Sequence, residues 1–275
     1  MASFEKSISA SMSETPKLTF SFYWTQKLVK STAVIILLLL IWEIAPRIGL
    51  VDPTFFPSFS LVVEGWWGLA ISGDLYAHFI ASIVRSLSGF GLAILIAIPL
   101  GLIIGWYPLA MELLNPVLEL FRNTAALALL PVFILLLGIG ETSKISIVLF
   151  ACVFPILLNT INAVRNVDPL LIRSAKSMGL SPYKLFYKVI IPASIPTIFT
   201  GIRMAGSASI LVLIAAEMVG AKEGLGYLIS YTQMNFQIPQ MYAGIITISI
   251  LGFILNYILV SIERKLSKWK VGPNE

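Results

Sequence analysis

Charged residues are scarce in this 275-residue chain: Asp, Glu, Lys and Arg account for 12% of it, while 57% is hydrophobic. Soluble domains usually carry about 25% charged residues. Because apolar runs extend over most of the length, the composition excludes a soluble domain with one anchor and indicates a membrane protein with several spans. The net charge of +5 comes from basic residues at the ends of apolar runs, so it reflects membrane topology rather than nucleic-acid binding.

Cysteine and histidine are almost missing, with one residue of each. The single cysteine, Cys152, lies inside an apolar run. Because it is alone, an intrachain disulfide and a cysteine-based metal cluster are excluded. His78 has no second histidine or cysteine nearby, so we predict no metal site and expect a loop or interface residue. A membrane-embedded enzyme needs His, Asp or Glu clustered within its spans, and this pattern disfavours that class.

Six segments are apolar enough to cross a bilayer core, which takes about 20 residues of helix. They cover approximately residues 29–45, 86–106, 120–139, 145–164, 195–218 and 241–262. The pattern predicts an all-α, polytopic membrane protein with about six transmembrane helices in a single transmembrane domain, residues 29–263. Residues 1–28 and 264–275 are predicted to be cytoplasmic tails.

Basic residues are distributed unevenly between the two sides of these spans. Thirteen Lys and Arg residues lie in the two tails and the loop between the fourth and fifth spans, against three in the opposite loops. The positive-inside rule therefore predicts that both termini and that loop face the cytoplasm. In the second span, Gly101-x-x-x-Gly105 predicts a close helix contact, either inside the chain or at a dimer face.

The loop between the fourth and fifth spans contains the basic segment RSAKSMGLSPYKLFYKVIIP, residues 173–192. Asp168-Pro169 is a helix start signal, an N-cap followed by proline at the first helical position. A short helix is predicted over 170–178 and ends at Gly179, because glycine adopts the left-handed conformation easily. Ser181-Pro182 repeats the start signal.

A second helix is predicted from Pro182 to about Ile190, after which Pro192 and Pro196 are expected to break the path into the fifth span. A loop that only connected two spans would need few residues. Two capped helices with exposed apolar side chains therefore indicate a docking surface. The alternative is an amphipathic hairpin that rests on anionic lipid.

The spacing of this segment resembles the Glu-Ala-Ala loop of binding-protein-dependent ABC importer permeases. The triplet is Arg173-Ser174-Ala175, the glycine after three further residues is Gly179, and the closing element is Val189-Ile190-Ile191-Pro192. Arg173 replaces the glutamate of the family pattern and Ser174 replaces the first alanine. The helical hairpin is expected to be kept, while an ion pair through that glutamate is not.

Further motifs resemble the nitrate, sulfonate, taurine and bicarbonate permeases within that family. They are Leu129-Leu130-Pro131 with Gly138-Ile139-Gly140, and AEMVGAKEGLGYLI over residues 216–229. The resemblance covers nearly the whole chain beyond about residue 30. A related permease for another small solute, such as a pyrimidine precursor, stays open as an alternative substrate assignment.

The resemblance implies a type I ABC importer permease fold with cytoplasmic coupling helices over 168–192, in the inner or plasma membrane of a bacterium. It implies a permease homodimer in the lipid bilayer, two ABC ATPase subunits and an extracytoplasmic substrate-binding protein. The chain lacks a G-x-x-x-x-G-K-[ST] motif, so ATP and Mg are expected on the ATPase, with no cofactor on this chain. The residues expected to couple to the ATPase are Arg173, Ser174, Ala175, Gly179, Ser181, Pro182, Lys184 and Pro192.

Polar residues within spans are candidates for the translocation path. These candidates are Asn123, Thr124, Asn159, Arg203, Ser207 and Glu217. Two of them have an alternative role: Arg203 reaching the headgroups or pairing within the dimer, and Glu217 forming a structural cap or ion pair. A stand-alone secondary transporter or channel is the competing class; it predicts an inverted repeat, and none is visible.

Overall fold

The computed structural model describes the backbone of residues 18–266 and the side chains of residues 32–266. Helices dominate this part of the chain, and residues 18–266 contain no β-strand. The helices are α1 (Leu18–Arg47), α2 (Phe59–Ser72), α3 (Asp74–Trp106), α4 (Pro108–Arg122), α5 (Leu130–Leu137), α6 (Glu141–Arg165), α7 (Pro169–Ser177), α8 (Pro182–Leu185), α9 (Ile191–Met218), α10 (Leu225–Met234) and α11 (Ile238–Leu266), with a 3-10 turn at Ala126–Leu129 and a π-turn at Phe186–Ile190.

Several of these helices are long and apolar enough to cross a membrane. Among the described residues there are four, or five when the bent pair Pro108–Arg122 and Ala126–Leu137 counts as one span. The four are Asp74–Trp106, Glu141–Arg165, Pro182–Met218 and Ile238–Leu266. The prediction of an all-α polytopic protein is therefore confirmed. The first predicted span lies in α1, part of which has no described side chains.

The predicted tails lie largely outside the described residues, which exclude 1–17 and 267–275. Where the backbone is described, it is helical at both ends. Helix α1 begins at Leu18, before the predicted start of the first span, and α11 continues to Leu266.

The third predicted span is not a single straight helix, so that prediction is wrong. Helix α4 ends at Arg122, and the helical pair bends by 84°. Asn123 Nδ2 donates to Glu119 O at 2.8 Å and Thr124 Oγ1 donates to Leu120 O at 3.0 Å. These side chains satisfy carbonyls of the last helical turn.

The prediction that Pro192 and Pro196 interrupt the path into the fifth span is also wrong, because the helix is continuous over Pro182–Met218. A proline removes an N–H and its ring presses on the carbonyl four residues before it. For Pro192 that carbonyl belongs to Lys188, which lies in the π-turn Phe186–Ile190. The wider π-turn accommodates the ring, and Ile191 N donates to Phe186 O across it.

The chain divides into two compact units between residues 63 and 64. In the first, the end of α1 is tied to the segment that follows it. Trp42 Nε1 donates to Pro57 O at 3.0 Å and Ser60 N donates to Glu43 Oε2 at 2.9 Å. In the second unit, the core is formed by α3, α6 and α9, where small residues such as Ala97, Cys152 and Ala205 are fully buried.

Glycines of α3 allow its backbone to approach α6 of the same chain. A methyl group at Gly101 would lie 2.6 Å from Thr160 Cβ, and one at Gly105 would lie 2.8 Å from Val164 Cβ. The Gly-x-x-x-Gly pattern is therefore used for packing inside the chain.

We expect Gly101→Ala to destabilise the purified protein by about 1–3 kcal/mol, because its methyl group overpacks the contact with Thr160. Gly91→Ala is the matched control in the same helix, since a methyl group there has no neighbour within 4 Å. Thermal unfolding in detergent measures both. Equal melting temperatures for the two variants would contradict the packing role.

Candidate functional site

The basic segment between α6 and α9 forms the predicted helical hairpin. Asp168 Oδ1 accepts from Leu170 N at 2.8 Å at the start of α7. Gly179 has a φ of +72°, and Leu180 N donates to Ala175 O at 3.2 Å across the turn. Helix α8 then begins at Pro182 after the Ser181 cap. The predicted caps and the predicted glycine turn are confirmed.

One face of the hairpin is buried and holds it against the ends of the long helices. Ala175, Leu185 and Ile190 pack with Val164 and Val167. Trp106 of α3 and Phe186 also pack together, with ring centroids 4.9 Å apart. This apolar anchoring makes the hairpin an extension of the bundle rather than a loose loop.

The other face is exposed, basic and partly aromatic. Of the predicted coupling residues, Ala175 is buried within the hairpin, and the other seven are exposed: Arg173, Ser174, Gly179, Ser181, Pro182, Lys184 and Pro192. Met178, Tyr183 and Tyr187 are exposed beside them. Arg173 makes no ion pair with any residue in the described part of the chain, so its charge is available to a partner.

A cavity of about 420 Å³ lies where α4, α6 and α9 meet. Thr124 and Asn159, two of the predicted path residues, line it together with Arg122 and Asn162. Phenylalanine rings of α4 and α6 form much of the remaining wall. The bend after α4 brings its last residues to this cavity.

The other four predicted path residues, Asn123, Arg203, Ser207 and Glu217, do not line this cavity. Asn123 caps α4, as described above. Ser207 is exposed, and its hydroxyl donates to Arg203 O at 3.5 Å. Arg203 Nη1 lies 3.2 Å from Glu263 Oε2 of α11, so its charge pairs inside the chain, a partner that was not predicted.

Glu217 belongs to a buried ionic cluster at the helix ends opposite the hairpin. Its side chain is 0% exposed, and Arg85 Nη1 donates to Glu217 Oε1 at 2.8 Å. Arg85 also binds Glu141 with two bonds of 2.5 and 2.7 Å. Ser82 Oγ lies 2.9 and 2.8 Å from the two Glu217 oxygens. Arg85 of α3 therefore joins the start of α6 to the end of α9.

The same cluster holds the turn between α9 and α10. Gly226 N donates to Glu217 Oε2 at 2.9 Å, and Arg85 Nη1 donates to Glu223 O at 2.6 Å. A methyl group at Gly224 would lie 2.3 Å from the Glu217 carboxyl carbon. The turn after Glu217 thus needs glycine at this position, which explains part of the motif at 216–229.

His78, expected in a loop or at an interface, lies within α3 and contacts this turn. Its Nδ1 accepts from Gly224 N at 3.2 Å, and its ring packs on Tyr227. Within residues 18–266, no group of His, Cys, Asp and Glu has an arrangement suited to a metal ion.

Arg85 is the important residue that the sequence reasoning missed. It lies just before the predicted second span, so it was not among the candidate polar residues within spans. The sequence did contain a signal for it. An isolated cation at the edge of one span and an isolated carboxylate, Glu217, in another are expected to meet, because a buried charge requires a partner.

Comparisons with known proteins agree with this architecture. Residues 97–268 match the family described as binding-protein-dependent transport system inner membrane component. The chain is 30% identical to the taurine transport system permease protein of Escherichia coli, over 92% of this chain and 94% of that protein. It is 33% identical to a putative aliphatic sulfonates transport permease protein of Bacillus subtilis, over 84% and 83% of the two chains.

Among solved structures, an inward-facing form of the MetNI methionine ABC transporter matches with a TM-score of 0.60 and 18% identity. The match covers 76% of this chain and 98% of that chain. At this level of identity it supports the fold alone.

Proposed function

The chain belongs to the family of binding-protein-dependent transport system inner membrane components, and from this premise we propose that it carries an organosulfonate or a similar small anion. It is a multi-pass membrane protein and the transport subunit of an ABC importer. In our proposal, ATP is hydrolysed by a separate ATPase that binds ATP and Mg. A soluble binding protein outside the membrane delivers the substrate, and two copies of the permease form the pore.

The exposed face of the hairpin is the observation that supports the ATPase partner. It presents Arg173, Lys184 and two tyrosines on a scaffold that is anchored to α3, α6 and α9 by buried apolar contacts. A force applied there passes directly into α9, because the helix is continuous from Pro182 to Met218. We propose that closure of the ATPases moves the hairpins, and that the spans then alternate between two rigid arrangements.

The cytoplasmic position of the hairpin and of both termini is supported by the excess of basic residues on that side. The acidic surface that such a hairpin would favour lies on the ATPase. In this arrangement Arg173, which replaces the family's glutamate, contacts an acidic group of the partner.

The substrate class is supported by relatives whose names specify taurine and aliphatic sulfonates. In this chain, Arg122 and Asn162 place donors at the cavity beside Thr124 and Asn159. We propose that these four residues belong to the path, and that Asn123 holds the bend that forms it. Arg203 and Ser207 support α9 beside the path, and Glu217 fixes its far end.

Uptake into proteoliposomes tests the proposal. The permease is reconstituted with its ATPase and its binding protein, and labelled taurine, butanesulfonate, nitrate or a formylaminopyrimidine is added outside vesicles that contain ATP. We expect ATP-dependent uptake of the sulfonates, requiring all three components. Equal uptake without the ATPase would instead indicate a secondary transporter, and exclusive uptake of the pyrimidine would reject the substrate class.

A further inference from the structure

The cavity between α4, α6 and α9 has an aromatic wall that an inorganic anion does not require. Phe121, Phe150 and Phe154 all line it. The rings of Phe121 and Phe154 are stacked with centroids 5.4 Å apart, and those of Phe150 and Phe154 meet edge to face at 5.2 Å. A fully hydrated anion such as nitrate gains nothing from this surface, because rings of this kind offer it no hydrogen bond in place of water.

Four of the residues that line the cavity carry side-chain hydrogen-bond donors, namely Arg122, Thr124, Asn159 and Asn162. Thr124 Oγ1 and Asn159 Nδ2 already donate to the carbonyls of Leu120 and Pro155. The Arg122 side chain is 56% exposed, and its one ion pair is with Glu119 at 3.3 Å, so most of its five N–H groups are available. Arg122 and Asn162 are therefore the residues that can donate to an anionic group.

We propose that this cavity is a subsite for organosulfonates with a hydrocarbon tail, with the sulfonate at Arg122 and Asn162 and the tail against the three phenylalanines. The inference rests on the proposed function and adds to it a preference for tail length within the permease itself. A cavity of about 420 Å³ falls within the range of small-molecule sites, roughly 300–1,000 Å³.

The test compares uptake of methanesulfonate and butanesulfonate by the reconstituted complex with one binding protein throughout. We take the ratio of the two uptake rates in each variant and divide it by the same ratio in the wild type. Because the binding protein is unchanged, any difference comes from the preference of the permease itself for tail length. Each buried methylene contributes about fourfold in binding. We expect Phe154→Ala to lower butanesulfonate uptake about tenfold and methanesulfonate uptake less than twofold.

Phe133→Ala is the matched control. The Phe133 ring packs on Phe150 with centroids 6.0 Å apart but does not line the cavity, so its loss should change both rates by the same factor. Arg122→Gln should also lower both rates together, because both substrates carry the sulfonate. Copurification of the ATPase with each variant shows whether the complex has assembled, and Phe154→Leu, with an intermediate loss expected, replaces the alanine variant if that one does not assemble.

An unchanged rate ratio in the Phe154 variant, in a complex that transports sulfonates, overturns the subsite and leaves the proposed function standing. A wild-type complex that transports neither sulfonate overturns the proposed substrate class, and the subsite with it.

Discussion

Replacing Arg85 with methionine is expected to destabilise the permease by about 3–5 kcal/mol, because removal of one partner leaves a buried charge without compensation. Glu217 is 0% exposed, and Arg85 is its ionic partner. Methionine has a similar length but cannot donate a hydrogen bond, so the turn that contains Glu223 also loses its contact. Thermal unfolding in detergent, together with the yield of monodisperse protein, measures the loss.

Two further variants identify the cause. Arg122→Met removes an exposed ion pair with Glu119, whose contribution is about 0–1 kcal/mol. The double variant Arg85→Met with Glu217→Gln removes both buried charges, while the glutamine oxygen can still accept from Gly226 N. We expect this double variant to regain more than half of the stability that Arg85→Met loses, since Glu141 is 62% exposed and can be hydrated. Additive losses would contradict an ionic origin of the effect.

The features that were predicted correctly from sequence are those set by neighbouring residues. Asp168-Pro169 and Ser181-Pro182 each combine a cap with a proline, and Gly179 follows a short amphipathic helix. Each signal acts within a few residues, because capping bonds and backbone preferences are local. The hairpin could therefore be located from the sequence before any long-range contact was known.

Neither the bend after α4 nor the continuity of α9 was predicted from the sequence. An apolar run indicates burial in lipid but does not define the backbone path. The helix ends before Asn123 and Thr124 although hydropathy alone would continue it, and their side chains satisfy carbonyls of its last turn. At Pro192, a π-turn absorbs a residue that normally ends one. Both outcomes depend on geometry that composition does not record.

The ionic cluster as a whole could not be predicted from the sequence, because it depends on the tertiary packing of the helices. Arg85 and Glu217 are separated by 132 residues, and Glu141 lies on a third helix. Each is an isolated charge in the sequence, and only the packing of α3, α6 and α9 brings them together. The sequence indicated that Glu217 needed a partner or a function; the fold shows that it has several partners, including the backbone N–H of Gly226.

Replacing Gly179 with valine is expected to abolish substrate-stimulated ATP hydrolysis while leaving membrane insertion intact. The residue has a φ of +72°, which costs about 1–2 kcal/mol for a residue with a Cβ and more for a β-branched one. A methyl group at this position has no neighbour within 4 Å, so the effect is conformational and not steric. Valine shifts the turn out of the left-handed region, and α7 and α8 then present Arg173 and Lys184 in a changed arrangement.

Gly179→Asn is the matched control, because asparagine enters the left-handed region more readily than other residues with a Cβ. It should keep most of the stimulation although it also adds a side chain at the exposed turn. Hydrolysis is measured in the reconstituted complex with and without loaded binding protein, and copurification of the ATPase reports whether docking itself is lost. Retained stimulation in the valine variant contradicts coupling through the hairpin. Equal loss in both variants would attribute the effect to the added side chain at the docking surface. A loss in the valine variant alone would attribute it to the turn geometry, because the hairpin transmits motion only while its two helices keep their mutual angle.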